Sequence, residues 1–120
     1  MPPAPLLVTT LSSTLGDSPR DITTDGQYIW TANANGSISR VDPDTGATNN
    51  FTVGFTDPVG ILFDGANLWV TDQGANMLRK LGSPTPNIIQ NVAVGAHPEF
   101  AVFDGSNIWV PNMNSNSVTV

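Results

Sequence analysis

The sequence contains no cysteine. Disulfides, thiolate nucleophiles and thiolate metal sites are thereby excluded, and the redox compartment is left open. Basic residues are scarce as well. Lys and Arg total 4 against 10 Asp and Glu, a formal net charge of −6. Nucleic acid and anionic membrane surfaces select for clustered Lys and Arg, so neither is an expected partner. The acidic balance is most simply a solubility feature. Glutamate occurs once, at Glu99, and histidine once, at His97. No apolar run approaches the ~18 residues of a membrane helix. Residues 1–5, Met-Pro-Pro-Ala-Pro, lack the basic flank of a signal peptide and read as a leader. A soluble chain is expected, and a secreted or periplasmic parent stays open.

What the sequence does contain is turn chemistry. There are 11 Gly and 10 Pro. With abundant Asn and Thr, this is a poor helix composition and a good one for short strands. One phrase occurs three times: Asp25-Gly26-Gln27-Tyr28-Ile29-Trp30, Asp64-Gly65-Ala66-Asn67-Leu68-Trp69 and Asp104-Gly105-Ser106-Asn107-Ile108-Trp109. The spacings from Asp to Asp are 39 and 40 residues, the period of an array of supersecondary units.

Each repeat reads the same way. A short apolar strand (Asp21–Thr24, Gly60–Phe63, Phe100–Phe103) precedes the Asp-Gly turn, whose glycine supplies a positive φ. The Trp strand follows (Tyr28–Asn33, Leu68–Asp72, Ile108–Asn112). A polar turn leads to a third strand (Ser37–Val41, Met77–Leu81, Ser117–Val120). In the first two repeats a fourth strand follows (Asn49–Val53, Ile88–Val94), then Gly and, a few residues on, Pro. Four antiparallel strands per ~40 residues define a β-propeller blade. The fold expected is all-β, with three blades per chain. The boundaries are a leader over 1–5, an N-terminal strand over 6–16, blade 1 over 17–54, blade 2 over 55–95 and a partial blade 3 over 96–120. The tryptophans, one per blade at an internal strand position, are expected between blades in the core.

The third repeat stops after three strands, and Leu6–Leu15 supplies a strand ahead of the first. Three blades leave open apolar ends, and rings typically have ~4–8 blades. A two-fold homodimer solves both problems. Residues 6–15 of each copy complete the partner's third blade, giving a six-bladed ring. A piece of a longer ring, natural or engineered, is the alternative, and it too would have ends to hide.

The stretch Pro58-Val59-Gly60-Ile61 … Asp64-Gly65-Ala66-Asn67-Leu68-Trp69-Val70-Thr71-Asp72 … Asn76 resembles the blade repeat of virginiamycin B (streptogramin) lyase-like propellers. It is also similar to NHL repeats and to YVTN-type repeats. Ile29-Trp30-Thr31-Ala32-Asn33 … Ile38-Ser39-Arg40-Val41-Asp42-Pro43-Asp44-Thr45-Gly46 looks like the same repeat. The resemblance implies the propeller fold. It also implies a His-dependent, metal-assisted site on one ring face, for which this chain offers only His97.

Candidate chemistry is sparse. His97 and Glu99 flank Pro98 in the connection entering an inner strand, where a general base with a supporting carboxylate could stand. The equivalent Arg20 and Asp21, with His97 and Glu99, form a candidate rim for a small polar ligand at the central channel. Asp42-Pro43-Asp44-Thr45-Gly46 lacks the later acidic ligand of a calcium loop and reads as a capped turn. Asp25, Asp64 and Asp104 read as turn residues. Asn35-Gly36-Ser37 and Asn50-Phe51-Thr52 match the N-glycosylation sequon, which has meaning only in a eukaryotic secretory pathway. No cofactor or metal is expected. The function expected is a non-catalytic propeller module that self-assembles and serves as a structural or binding scaffold. The alternative is a small lyase or hydrolase with His97 as base.

Overall fold

The structure, a computed structural model, describes residues 9–120. Eleven strands form three sheets in chain order: β1 (Pro19–Thr24), β2 (Ile29–Asn33), β3 (Ser37–Val41) and β4 (Thr48–Thr52); then β5 (Pro58–Phe63), β6 (Leu68–Asp72), β7 (Met77–Leu81) and β8 (Ile88–Ala93); then β9 (Val102–Phe103), β10 (Ile108–Asn112) and β11 (Ser117–Thr119). Every pairing is antiparallel between consecutive strands. Each sheet is therefore a meander, and the three are the expected blades. No helix among the described residues is long and apolar enough to cross a membrane.

Local chemistry sets the boundaries. Gly26, Gly65 and Gly105 adopt φ of 91°, 96° and 99°, the left-handed conformation that the Asp-Gly turns require. Pro19 and Pro58 open β1 and β5, where a residue without an N–H costs no ladder bond, and each is followed by a register shift. The Asp42 turn is capped as expected: its Oδ1 accepts the N–H of Asp44 at 2.8 Å and of Thr45 at 3.3 Å.

The core lies between blades 1 and 2. Trp30, Ala32 and Ile38 of blade 1 meet Ile61, Leu68, Val70 and Leu81 of blade 2, with Phe55 from the connection. Strand β5 is covered on both faces and buried along nearly its whole length, as its unbroken apolar sequence requires.

Several expectations differ from the structure. Strands β1 and β5 begin two residues earlier than expected, and Trp109 is 38% exposed rather than in the core. The larger differences concern blade 3 and the N-terminus. The inner strand of blade 3 spans Val102–Phe103 rather than Phe100–Phe103, with an isolated bridge from Pro98 to Asn112 upstream. It has a neighbouring blade on one side only, and Phe100 is half exposed. The N-terminal strand expected over 6–15 lies partly outside the described residues. Residues 9–15 form no strand in the single chain. They run beside β4 as an arm held through side chains. Asn50 Nδ2 donates to the Thr14 carbonyl at 2.9 Å, and Ser12 Oγ and Thr48 Oγ1 share a hydrogen bond of 2.5 Å. The arm ends where the Gly16 N–H donates to Ser39 Oγ at 3.1 Å.

Candidate functional site

In a meander the β2–β3 turn and the entry to β1 lie at one end of the blade. The equivalent ends of all three blades form one face, and the sequence-predicted rim residues lie there. Residue 18, 57 or 97, just before the Pro of each blade, is tied to the β2–β3-type turn by its carbonyl. Ser18 O accepts from Ala34 N at 2.9 Å, Asp57 O from Gln73 N at 2.9 Å and His97 O from Met113 N at 3.0 Å. His97 thus occupies a turn position that every blade repeats. It adopts φ of 60°, close to the 55° of Ser18, and its N–H donates to Asn76 Oδ1 at 3.0 Å.

The rim side chains pair across blade junctions. Arg20 Nη1 donates to Asp57 Oδ1 at 2.7 Å, joining blade 1 to blade 2. Asp21 Oδ2 accepts the Ile61 N–H at 3.0 Å across the same junction. Gln73 Nε2 donates to Glu99 Oε1 at 3.2 Å, joining blade 2 to blade 3. His97 Nε2 stands 3.3 Å from the same Glu99 oxygen. The structure therefore brings His97 and Glu99 together, and separately Arg20 with Asp57. Gln73 bridges the two groups, its backbone N–H donating to the Asp57 carbonyl and its side chain to Glu99. At the position of Asp21, blade 2 has Gly60, where an added Cβ would stand 3.2 Å from Phe100 Cα, so backbone meets backbone at the second junction.

Beneath this rim lies a buried ion pair that the sequence reading did not single out. Asp72 is 0% exposed and ends β6. Its Oδ2 accepts from Arg79 Nε at 2.9 Å and from Thr56 N at 2.9 Å, and its Oδ1 accepts from Asp57 N at 2.7 Å. Asn33 and Asn112 occupy the same place in the other blades and are also buried. The three-fold recurrence of a buried Asn or Asp at the end of the Trp strand was the available signal.

The opposite face carries the Asp-Gly turns. Each Asp accepts three bonds: two backbone N–H groups on Oδ1, and its own blade's indole on Oδ2. The indole distances are 2.9 Å for Trp30 to Asp25, 2.8 Å for Trp69 to Asp64 and 2.7 Å for Trp109 to Asp104. Partial burial raises the pKa of Asp25 and Asp64, but the N–H donors outweigh it and hold both below the ordinary carboxylate value. Asp104 is lowered by its bonds from Asn107, Trp109 and Ser106. The Asp carboxylates are thus structural acceptors, as expected of turn residues.

A cleft of about 540 Å³ opens on this face between blades 1 and 2. Its walls include Tyr28, Trp30 and Arg40 on one side and Phe63, Leu68 and Leu81 on the other. The Arg40 guanidinium lies 4.6 Å over the Tyr28 ring, with Phe51 at 5.4 Å and Trp30 at 5.8 Å.

No family model and no curated protein matches the sequence. Solved structures do match the fold. Hydrazine synthase of Kuenenia stuttgartiensis is similar over 91% of this chain and 33% of its own, with a TM-score of 0.70 and 22% identity. Streptogramin B lyase is similar over 84% of this chain and 39% of its own, with a TM-score of 0.67 and 21% identity. The chain thus spans between a third and two fifths of the length of each. The computationally designed Ika4 protein is similar over 94% of this chain and 97% of its own, with a TM-score of 0.55 and 9% identity. At these identities the likeness establishes the fold: a β-propeller arrangement of blades resembling that of streptogramin B lyase.

Proposed function

We propose that the chain is a non-catalytic propeller module. Two copies join by strand exchange into a six-bladed ring that serves as a binding scaffold. One observation carries this reading. Trp30 and Trp109 occupy the same place on the same face of their blades, yet Trp30 is 4% exposed and Trp109 is 38% exposed. Val102 and Val118, on the same face of blade 3, are exposed at 61% and 59%. In blade 1 that face is the core. Burying each such side chain is worth about 1.5–3 kcal/mol, so a second blade 1 is its natural cover.

The arm supports the same reading. It makes no ladder pairing with its own blade among the described residues, and the outer edge of β11 is unpaired. Gly16 packs on Asn33 as Gly95, at the end of the blade 2 outer strand, packs on Asn112. The arm therefore stands relative to blade 1 as an outer strand stands relative to the blade that follows it. Phe100 and Ile22, exposed at 51% and 64%, would meet at the new junction, where Asp21 meets Ile61 within the chain.

Light scattering tests this: a mass twice the 12.6 kDa of the chain is expected. Removing residues 1–15 should abolish the assembly. A folded monomer at micromolar concentration would overturn the reading. The second reading, catalysis with His97 as base, rests on its 3.3 Å approach to Glu99. An activity lost in His97→Ala, with the ring intact, would favour it.

A further inference from the structure

The chain has four basic side chains. Arg20 and Arg79 are paired with Asp57 and Asp72. Arg40 and Lys80 are cross-strand partners of Trp30 and Trp69, and both lie over aromatic rings. Of these two, Arg40 faces a formed cleft. No carboxylate among the described residues lies within ion-pair distance of its guanidinium, and its Nε is buried without a hydrogen-bond partner. A cation held this way is fixed in direction by Tyr28, Phe51 and Trp30, with its charge uncompensated.

From this we infer that the cleft between blades 1 and 2 binds a small monocarboxylate with an apolar or aromatic body. The carboxylate would meet the Arg40 guanidinium, a planar donor matched to that anion. The body would lie against Phe63, Ala66 and Pro84, the cleft-lining apolar side chains that keep accessible surface. The volume of about 540 Å³ falls within the range of small-molecule sites. The one carboxylate lining the cleft, Asp25, already receives the N–H groups of Gln27, Tyr28 and Trp30. It neither neutralises Arg40 through an ion pair nor offers a free oxygen for a cationic ligand. A single anionic charge is favoured over a phosphate dianion because the site supplies one cation in a chain of net charge −6. The cleft lies within one chain, on the face away from His97, so the inference does not depend on ring assembly.

The test is a titration of the intact chain with benzoate, using benzamide as a neutral probe of the same shape. The readouts are the Arg40 Nε–H resonance and calorimetry. Saturable benzoate binding that shifts this resonance is expected, with benzamide at least about tenfold weaker. Arg40→Gln should weaken benzoate by at least about tenfold, Arg40→Lys less, and Lys80→Gln not at all. Equal binding of benzamide, an unmoved Arg40 resonance in the unmodified chain, or full affinity in a folded Arg40→Gln variant would each overturn the inference. The resonance measurement decides the matter if Arg40→Gln fails to fold.

Discussion

The indole of Trp109 donates to Asp104 Oδ2 at 2.7 Å, the same bond that Trp30 makes to Asp25 at 2.9 Å, although Trp109 lies on an open blade face and Trp30 is buried. The bond belongs to the hairpin, since it needs only the turn and the first residues of the next strand. Burial belongs to the neighbouring blade. Blade 3 is therefore built as the others are, with its partner surface uncovered.

That separation gives the first prediction. Val118→Lys alters a side chain already exposed in the single chain, so folding stability should change by less than about 0.5 kcal/mol. If the face is a junction, a buried, unpaired lysine should weaken assembly at least tenfold, by the order of desolvation costs. Ile89→Lys, on the outer strand β8 and exposed at 53%, is the control and should leave the mass unchanged. Sedimentation velocity across a concentration series checks both. Equal behaviour of the two variants would remove the case for a junction.

The three Asp carboxylates set an acid limit. Their folded-state pKa values are lowered, so the stability they contribute is present above the unfolded carboxylate value of about 4. It is lost as pH falls through the lower folded values. Urea midpoints should hold steady from pH 7 to about 5 and then fall, with indole fluorescence shifting as the Asp–Trp bonds break. Asp25→Asn cannot accept the same three N–H groups with a charge. It should cost about 1 kcal/mol at pH 7, after allowance for solvent screening, and flatten the acid slope. An unchanged slope would show that other carboxylates control acid unfolding.

Much of this fold was legible because each blade carries its own punctuation. The sequence reading placed β3, β6, β7 and β10 at Ser37–Val41, Leu68–Asp72, Met77–Leu81 and Ile108–Asn112, as found. Asp-Gly turns and Pro residues fix those limits locally. The arm was not legible in the same way. Residues 9–15 have strand composition, but a strand also needs backbone ladder bonds, and within one chain these residues reach the neighbouring β4 only through its side chains. The rim was half legible. Repeat position put His97 and Glu99 at a blade entry, but Arg20 finds Asp57 and Glu99 finds Gln73 only because adjacent blades pack at that angle. The place of Arg40 was not legible, because it depends on cross-strand register with Trp30 and on the blade opposite, neither of which leaves a local trace.

The Asp72–Arg79 pair gives the last prediction. Asp72 is wholly buried, and its carboxylate also receives the backbone N–H groups of Thr56 and Asp57, which fix the entry to blade 2. Asp72→Ala leaves a largely buried guanidinium and two N–H groups without their acceptor, and should destabilise the chain by about 3–5 kcal/mol. Asp72→Asn keeps one acceptor oxygen and copies the residue that blades 1 and 3 already use, at Asn33 and Asn112. It should cost less, about 1–2 kcal/mol, because the retained oxygen still accepts from part of this donor set. If the cost of Asp72→Ala comes from the stranded charge, adding Arg79→Met should recover a large part of it. Recovery of nothing in that double variant would instead assign the role of Asp72 to the two backbone N–H groups, making the carboxylate a clamp on the blade entry. Chemical denaturation of the four chains separates the two outcomes.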